Sequence, residues 1–199
     1  MHRRHFWTRQ VAVAVLIAMV AAVPAAGGKP KHSHRDARPD SPMTNYGVVW
    51  DHKLTRSGMP SNGSGWRWLR EQGIRSIVTF RGENDVDYAR YGFSHVMNLP
   101  LSSRVFPTEQ QAEAFLDFVQ DPNNQPVHIH CQAGKDRTGM MAALVRYAVD
   151  GWGLDKALAE ARVYRGAALG KQRIEWLRNW ANRHPPGSAR RAGGPRLEG

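Results

Sequence analysis

The sequence predicts an α/β fold, a single domain built on a central, mostly parallel sheet flanked by helices. Three observations carry this expectation. Segments of strand character alternate along the chain with segments of helical period. No internal repeat interrupts the alternation. The length, 199 residues, suits one domain and leaves enough chain for a hydrophobic core once the two ends are set aside.

Tyr46 to Leu54 reads as an opening strand, closed by the turn-forming Ser57-Gly58-Met59-Pro60. Ser64 to Gln72 follows as a short helix with Trp66, Trp68 and Leu69, stopped by Gly73, and Ile74 to Phe80 is a buried-strand run ending at Arg81-Gly82. Glu83 to Tyr91 reads as an acidic helix or turn leading to a third strand, Phe93 to Leu99, which Pro100 breaks. After a polar loop, Pro107-Thr108 opens an amphipathic helix whose Ala112, Phe115, Leu116 and Val119 share one face, and Asp121-Pro122 ends it. Pro126 to His130 is a strand, Thr138 to Val149 an apolar helix ended by Asp150-Gly151, and Leu154 to Tyr164 and Lys171 to Asn182 are two more helices. Trp176 and Trp180 fall on one face of the last and are expected in the core.

The ends read differently. Met1 to Gln10 carries three arginines and no acid, Val11 to Val23 is uncharged and apolar, and Pro24-Ala25-Ala26-Gly27 supplies small residues for cleavage. Residues 1–25 are therefore expected to be a secretory signal peptide, cleaved near Ala25 or Ala26, with an uncleaved N-terminal membrane anchor as the alternative. The apolar run is shorter than the roughly 18 to 20 residues a bilayer span needs. An exported protein, periplasmic, envelope-bound or secreted, follows. Residues 26–44 are rich in Pro, Lys, His and Asp and read as a flexible linker, residues 45–182 as the folded domain, and residues 183–199 as a disordered basic tail with Pro185-Pro186-Gly187 and Gly193-Gly194-Pro195.

The formal charge of +11 invites a nucleic-acid reading. Its distribution argues against one. Between Asn45 and Asn182 there are 17 Lys and Arg against 14 Asp and Glu, a net of +3, so most of the excess lies in the signal and the two tails. The expectation is no specific nucleic-acid partner, at most weak contact of the basic tails with an anionic membrane, and a monomer.

His128 to Met140 reads HIHCQAGKDRTGM and holds the chain's one cysteine. A lone cysteine in an exported chain has no internal disulfide to form, so it serves either packing or reactivity. Its surroundings favour reactivity. A strand ending in a glycine-bearing loop that turns into a helix aims successive backbone N–H groups at one spot, and the helix dipole adds positive charge there. Such a spot holds a phosphate. Gln132, Ala133, Gly134, Lys135, Asp136 and Arg137 are the expected phosphate-binding residues, with Arg137 supplying a planar fork for two phosphate oxygens. A thiol at the rim, near a helix N-terminus and an arginine, is expected to ionise readily, which makes Cys131 a nucleophile facing bound phosphorus. Neither a metal nor another cofactor is required.

His130-Cys131-Gln132-Ala133-Gly134-Lys135-Asp136-Arg137-Thr138-Gly139 resembles the HCxxGxxR[ST]G signature of the cysteine-dependent protein tyrosine and dual-specificity phosphatases. The order of elements from about Tyr46 to Asn182 is similar to the compact dual-specificity phosphatase domain. The resemblance implies a phosphatase acting on a phosphorylated protein or a phosphoinositide, with Cys131 as nucleophile, Arg137 as phosphate clamp, Thr138 as the donor that eases departure of the thiolate, and His130 bracing the loop.

One departure stands out: the family's general acid is an aspartate in a movable loop after the third strand, and here Leu99 to Thr108 reads LPLSSRVFPT, without a carboxylate. Asp136 is the favoured replacement, since the GKDRT form resembles bacterial phosphatases of phosphotyrosine and phosphoinositides in which a loop aspartate is the proposed acid. Asp136 could instead orient Arg137 through an ion pair. Glu83, Asp85 and Asp87 are the other candidates, and the absence of any acid is the third. That last possibility keeps a phosphate-binding pseudophosphatase as one alternative function, and the basic tails keep an anionic-membrane-associated binding module as another.

Lys135 places a second cation at the pocket mouth, suited to substrates with more than one phosphate or simply solvated. His128 and His130 point to one face of their strand, but no third metal ligand has suitable spacing, and core histidines are expected. Arg56 and Arg81 close predicted strands and remain unassigned between pocket mouth and surface.

Overall fold

The computed structural model describes residues 40–191; the expected signal peptide, most of the linker and the last part of the basic tail lie outside the described residues. The segment expected as one opening strand is two: β1 (Gly47–Trp50) and β2 (Leu54–Gly58) pair antiparallel. The reversal falls at Asp51, His52 and Lys53, where His52 adopts φ 52° and Lys53 N–H donates to Trp50 O at 3.1 Å. A left-handed turn without glycine or proline leaves no mark in the sequence, so two apolar runs read as one. Ser57 and Gly58, expected in the closing turn, are the last residues of β2.

The remaining elements follow in the expected order: α1 (Gly63–Glu71), β3 (Ser76–Thr79), β4 (His95–Asn98), α2 (Glu109–Gln120), β5 (Val127–Cys131), α3 (Asp136–Ala148), α4 (Leu154–Arg165) and α5 (Lys171–Ala181). The acidic stretch after β3 is a loop that closes in one 3-10 turn, Ala89–Tyr91. Thr108 caps α2 with a reciprocal bond to Gln111, which fixes the start that Pro107-Thr108 predicted.

The sheet has the order β1-β2-β5-β3-β4, and every pairing except β1 with β2 is parallel. β5 is thus the central strand, and its alternation sends side chains to two different cores. Val127, Ile129 and Cys131 join a large cluster with Phe115 of α2, Leu144 of α3, Ala161 of α4 and Trp180 of α5. On the opposite face lie His128 and His130, stacked on each other, with Tyr46 stacked on His128 and Trp66 edge-on to His130, where α1 builds a smaller cluster with Leu69, Ile77 and Phe93. From Thr138 to Ala148 every residue of α3 is buried, as befits a largely apolar helix wrapped by neighbours.

Two polar devices hold the frame. Asp150 Oδ1 accepts from Trp50 Nε1 at 2.8 Å and its Oδ2 from Arg146 Nη1 at 2.9 Å, while the same guanidinium bonds Glu160 of α4 at 2.8 Å. Residues 183–191, expected within the basic tail, dock on the domain. Gly187 N–H donates to Tyr147 O, Ala189 N–H to Ala148 O, and Arg191 pairs with Asp117. Polar composition concealed this because the segment is held by backbone hydrogen bonds and an ion pair, neither of which needs apolar side chains.

Candidate active site

Between the end of β5 and the start of α3, the carbonyls of Gln132, Ala133 and Gly134 are each fastened from outside the loop. Met59 N–H donates to Gln132 O at 3.1 Å, Asn45 Nδ2 to Ala133 O at 2.8 Å, and Arg56 Nη2 to Gly134 O at 2.6 Å. In a trans peptide the N–H points opposite to the C=O. Holding these carbonyls outward therefore turns the amides of Ala133, Gly134 and Lys135 toward the concave side, where the N-terminus of α3 also points.

Gly134 is needed for this path. It adopts φ +68°, and a Cβ there would meet Gly58 N at 2.3 Å and the Ser57 carbonyl carbon at 2.5 Å. The loop rests directly on the end of β2.

Cys131 lies at the base of this cradle and is 2% exposed. Burial pushes its thiol up. The Thr138 hydroxyl and backbone N–H, the Arg137 guanidinium and the Gly134 N–H act the other way, and the net position is below the ordinary thiol range. Thr138 is fully buried and its hydroxyl has no hydrogen-bond partner among the described residues, which leaves it free to donate toward the thiolate. Arg137 is steadied through Nη1 by the carbonyls of Phe80 at 3.1 Å and Leu101 at 3.3 Å. The structure brings Cys131, Arg137 and Thr138 together around the loop 132–137.

The histidines behind the loop are packed groups. His128 has one nitrogen on Thr55 Oγ1 and the other on Ser57 Oγ, each at 2.9 Å, and burial holds its pKa well below the usual imidazole value. His130 Nε2 meets Tyr88 Oη at 3.0 Å. Burial, with Arg81 and Arg137 nearby, brings its pKa to about 4, so it is neutral at physiological pH.

The carboxylates are distributed otherwise than the signature suggests. Asp136, intermediate in exposure, pairs with Arg165 of α4, its Oδ1 accepting from Nε at 2.6 Å. The ion pair that sequence allowed with Arg137 is made with Arg165 instead. Asp85 binds Arg81 through both oxygens, and that hydrogen bonding holds it below the usual carboxylate range. Glu83 lies 3.5 Å from Arg81 Nε, and Asp87 Oδ1 accepts from Arg90 N–H at 3.2 Å. The loop 99–108 supplies the Leu101 carbonyl to Arg137.

Sequence reasoning did not find Asn45, Arg56 and Met59 as loop supports. Arg56, unassigned between mouth and surface, is 1% exposed and lies beneath the loop; Arg81, 6% exposed, is bound to Asp85. No local signal marks such roles, since each is defined by a partner 73 or more positions away in the chain, as Asn45 with Ala133 (88) and Arg56 with Gly134 (78) show, Met59 with Gln132 being the nearest. Beside the loop a groove of about 590 Å³ is lined by Asn45, Lys135, Tyr164 and Arg165 among others.

Comparison with known proteins agrees with this geometry. The family described as "DSP-PTPase phosphatase fused to NAD+ Kinase" matches residues 47–159. The dual specificity protein phosphatase TpbA of Pseudomonas aeruginosa is 27% identical over 168 residues, covering 80% of this chain and 74% of its own. The inositol diphosphatase DSP4 of Arabidopsis thaliana is 30% identical over 145 residues, covering 67% of this chain and 68% of its own. Among solved structures, the catalytic domain of the PP-IP phosphatase SIW14 from S. cerevisiae superposes with a TM-score of 0.60 at 21% identity, covering 71% of this chain and 93% of that one. This chain belongs to the DSP-PTPase phosphatase family and is a cysteine-dependent phosphatase of tyrosine and dual-specificity type.

Proposed function

We propose that the protein is an exported phosphomonoesterase that hydrolyses phosphotyrosine-type, phosphoserine/threonine-type or phosphoinositide phosphates through a phosphocysteine at Cys131. The observation that carries this reading is the readily ionised Cys131 thiol beneath three inward amides and the Arg137 fork. The thiolate attacks phosphorus in line, an S–P bond forms as the ester P–O bond breaks, and the amides with Arg137 stabilise the equatorial oxygens. Water then attacks the phosphocysteine, releasing phosphate and the thiolate, toward which the Thr138 hydroxyl donates.

Asp136 serves as the acid. It is the carboxylate within the catalytic loop, and Arg165 occupies only its Oδ1, leaving Oδ2 to carry the proton to the leaving oxygen. Asp85 is the weaker candidate because it lies outside the catalytic loop and Arg81 holds both of its oxygens. TpbA is named a protein phosphatase and DSP4 an inositol diphosphatase, so both substrate classes have support among relatives. Lys135, exposed at the loop, and Arg165 alongside it favour substrates with more than one phosphate. Export rests on the basic, then apolar, then small-residue order of residues 1–27. It is tested by the N-terminal mass of the protein recovered outside the cytoplasm.

The pseudophosphatase reading draws on two observations, a loop 99–108 without carboxylate and an Asp136 already paired. Hydrolysis of an aryl phosphate against an alkyl or inositol phosphate in EDTA decides, using wild type, Cys131→Ser and Asp136→Asn. Turnover that vanishes in Cys131→Ser, with Asp136→Asn failing chiefly on the alkyl substrate, supports the enzyme and its acid. Absence of wild-type turnover on all of them leaves the binding module, and equal rates for wild type and Asp136→Asn return the acid to Glu83, Asp85 or Asp87. Co-sedimentation with anionic vesicles at two salt concentrations tests tail-mediated membrane contact, which must weaken as salt rises.

A further inference from the structure

We infer that Arg56 is a positioning residue of the catalytic loop, holding the Gly134 carbonyl outward and placing a buried positive charge behind the Cys131 thiolate. Arg56 stands on β2, where it pairs with Ile129 while Gly58 pairs with Cys131. Thr55 and Ser57 face His128, so alternation sends Arg56 to the other face, the one that Cys131 shares with Ile129. Arg56 is thus the diagonal neighbour of the nucleophile on the same side of the sheet.

A guanidinium in that place is expensive. It is 1% exposed, and neither Nε nor Nη1 has a hydrogen-bond partner among the described residues. What it has is the 2.6 Å bond from Nη2 to Gly134 O and the Tyr164 ring, whose centroid lies 3.9 Å from its Cζ. Burying a charge with so little hydrogen bonding costs several kcal/mol, and an apolar side chain of similar volume would fill the space more cheaply. Neighbouring negative charge offsets the cost: Tyr164 and Glu160 of α4 act most on this guanidinium, and the thiolate of Cys131 adds to them. The stabilisation runs both ways: the charge that is relieved by a thiolate favours the thiolate.

The loop bond has its own consequence. Gly134 carries the positive φ of the turn, and its N–H is among the groups favouring ionised Cys131. Releasing its carbonyl frees the peptide plane to rotate and turn the next amide away from the anion.

This rests on Cys131 being the nucleophile, and alkylation by iodoacetamide reads the thiolate without needing turnover, so the two ideas fail separately. The charged groups on the Cys131 side of the sheet are Arg137 from α3 and Arg56 from β2, with Tyr164 and Glu160 of α4 acting on Arg56; His130 lies on the opposite face of β5. Arg56→Met removes charge and donor together. Its alkylation midpoint is expected to rise by about one pH unit, with a fall in kcat and weaker competitive inhibition by inorganic phosphate. Arg56→Gln keeps an amide donor for Gly134 and is expected to raise the midpoint while sparing phosphate affinity. Arg56→Lys keeps the charge over Tyr164 and is expected to fold, to hold the midpoint near wild type and to lose phosphate affinity. Circular dichroism and thermal melting report which variants are folded. A folded Arg56→Met or Arg56→Gln that alkylates with the wild-type midpoint overturns the electrostatic role. Wild-type phosphate inhibition in Arg56→Lys overturns the positioning role.

Discussion

Asp136 Oδ1 accepts from Arg165 Nε at 2.6 Å, so the loop carboxylate is held by α4 and not by Arg137 beside it in sequence. If Arg165 aims the acid, Arg165→Met leaves Cys131 alkylation unchanged and lowers kcat on alkyl phosphates by about tenfold, since a displaced catalytic group costs one to two orders of magnitude. Aryl phosphates, whose leaving groups need little protonation, are nearly unaffected. The ratio of alkyl to aryl turnover measures the effect.

The Thr138 hydroxyl and N–H both act to draw the Cys131 thiol below its ordinary range. Thr138→Ala is expected to move the alkylation midpoint upward and to slow breakdown of the phosphocysteine more than its formation. Rapid-quench kinetics with an aryl phosphate should then show a burst followed by a steady rate about a hundred- to a thousandfold below wild type, the usual worth of one such donor.

The pH dependence of folding has a defined sign. His130 is neutral in the fold, with a pKa of about 4 against an ordinary 6.5, so protons favour the unfolded chain. Its contribution is complete above pH 6.5 and is lost as pH falls from there to about 4, a span worth about 3 kcal/mol. His128, lowered further by burial, acts in the same direction. Urea midpoints taken between pH 7 and 4 should fall, and His130→Gln should flatten the fall.

Gly134→Ala places a Cβ 2.3 Å from Gly58 N, and both partners are backbone. A loss of about 2 kcal/mol or more in unfolding free energy is expected, together with near-complete loss of turnover, because β2 and the loop cannot both keep their places.

Asp150 is buried between Trp50 and Arg146. Asp150→Ala leaves the Trp50 N–H unsatisfied and Arg146 short of one partner, and is expected to cost about 3 kcal/mol. Chemical denaturation of the two proteins side by side measures it.

The contrast between what was and was not legible follows the range of the interactions involved. The placement of Cys131, Arg137 and Thr138 was readable because it is set within one strand, one turn and one helix start, whose geometry ten residues encode. The order of helices was readable from periodicity and punctuation, as with Thr108 and Gln111 at the head of α2. The β1–β2 reversal was missed because His52, not a glycine, takes the left-handed turn. Arg56 was unassigned because a strand arginine acquires its meaning from Gly134, 78 positions away. The partner of Asp136 depended on α4 passing beside the loop, a packing outcome that no local pattern carries.

The three fasteners on the catalytic loop, Asn45, Arg56 and Met59, all lie ahead of residue 60, far from the signature they serve. The chemistry of this enzyme is therefore divided between two stretches of chain: one carries the reacting atoms, the other the mould that shapes them. A fragment starting at α1 would retain every reacting residue yet lack the mould. Adding residues 45–59, the β1–β2 hairpin with Asn45 and Met59 at its ends, back as a separate peptide would be a form of complementation in which a segment with no reactive group of its own restores the reaction.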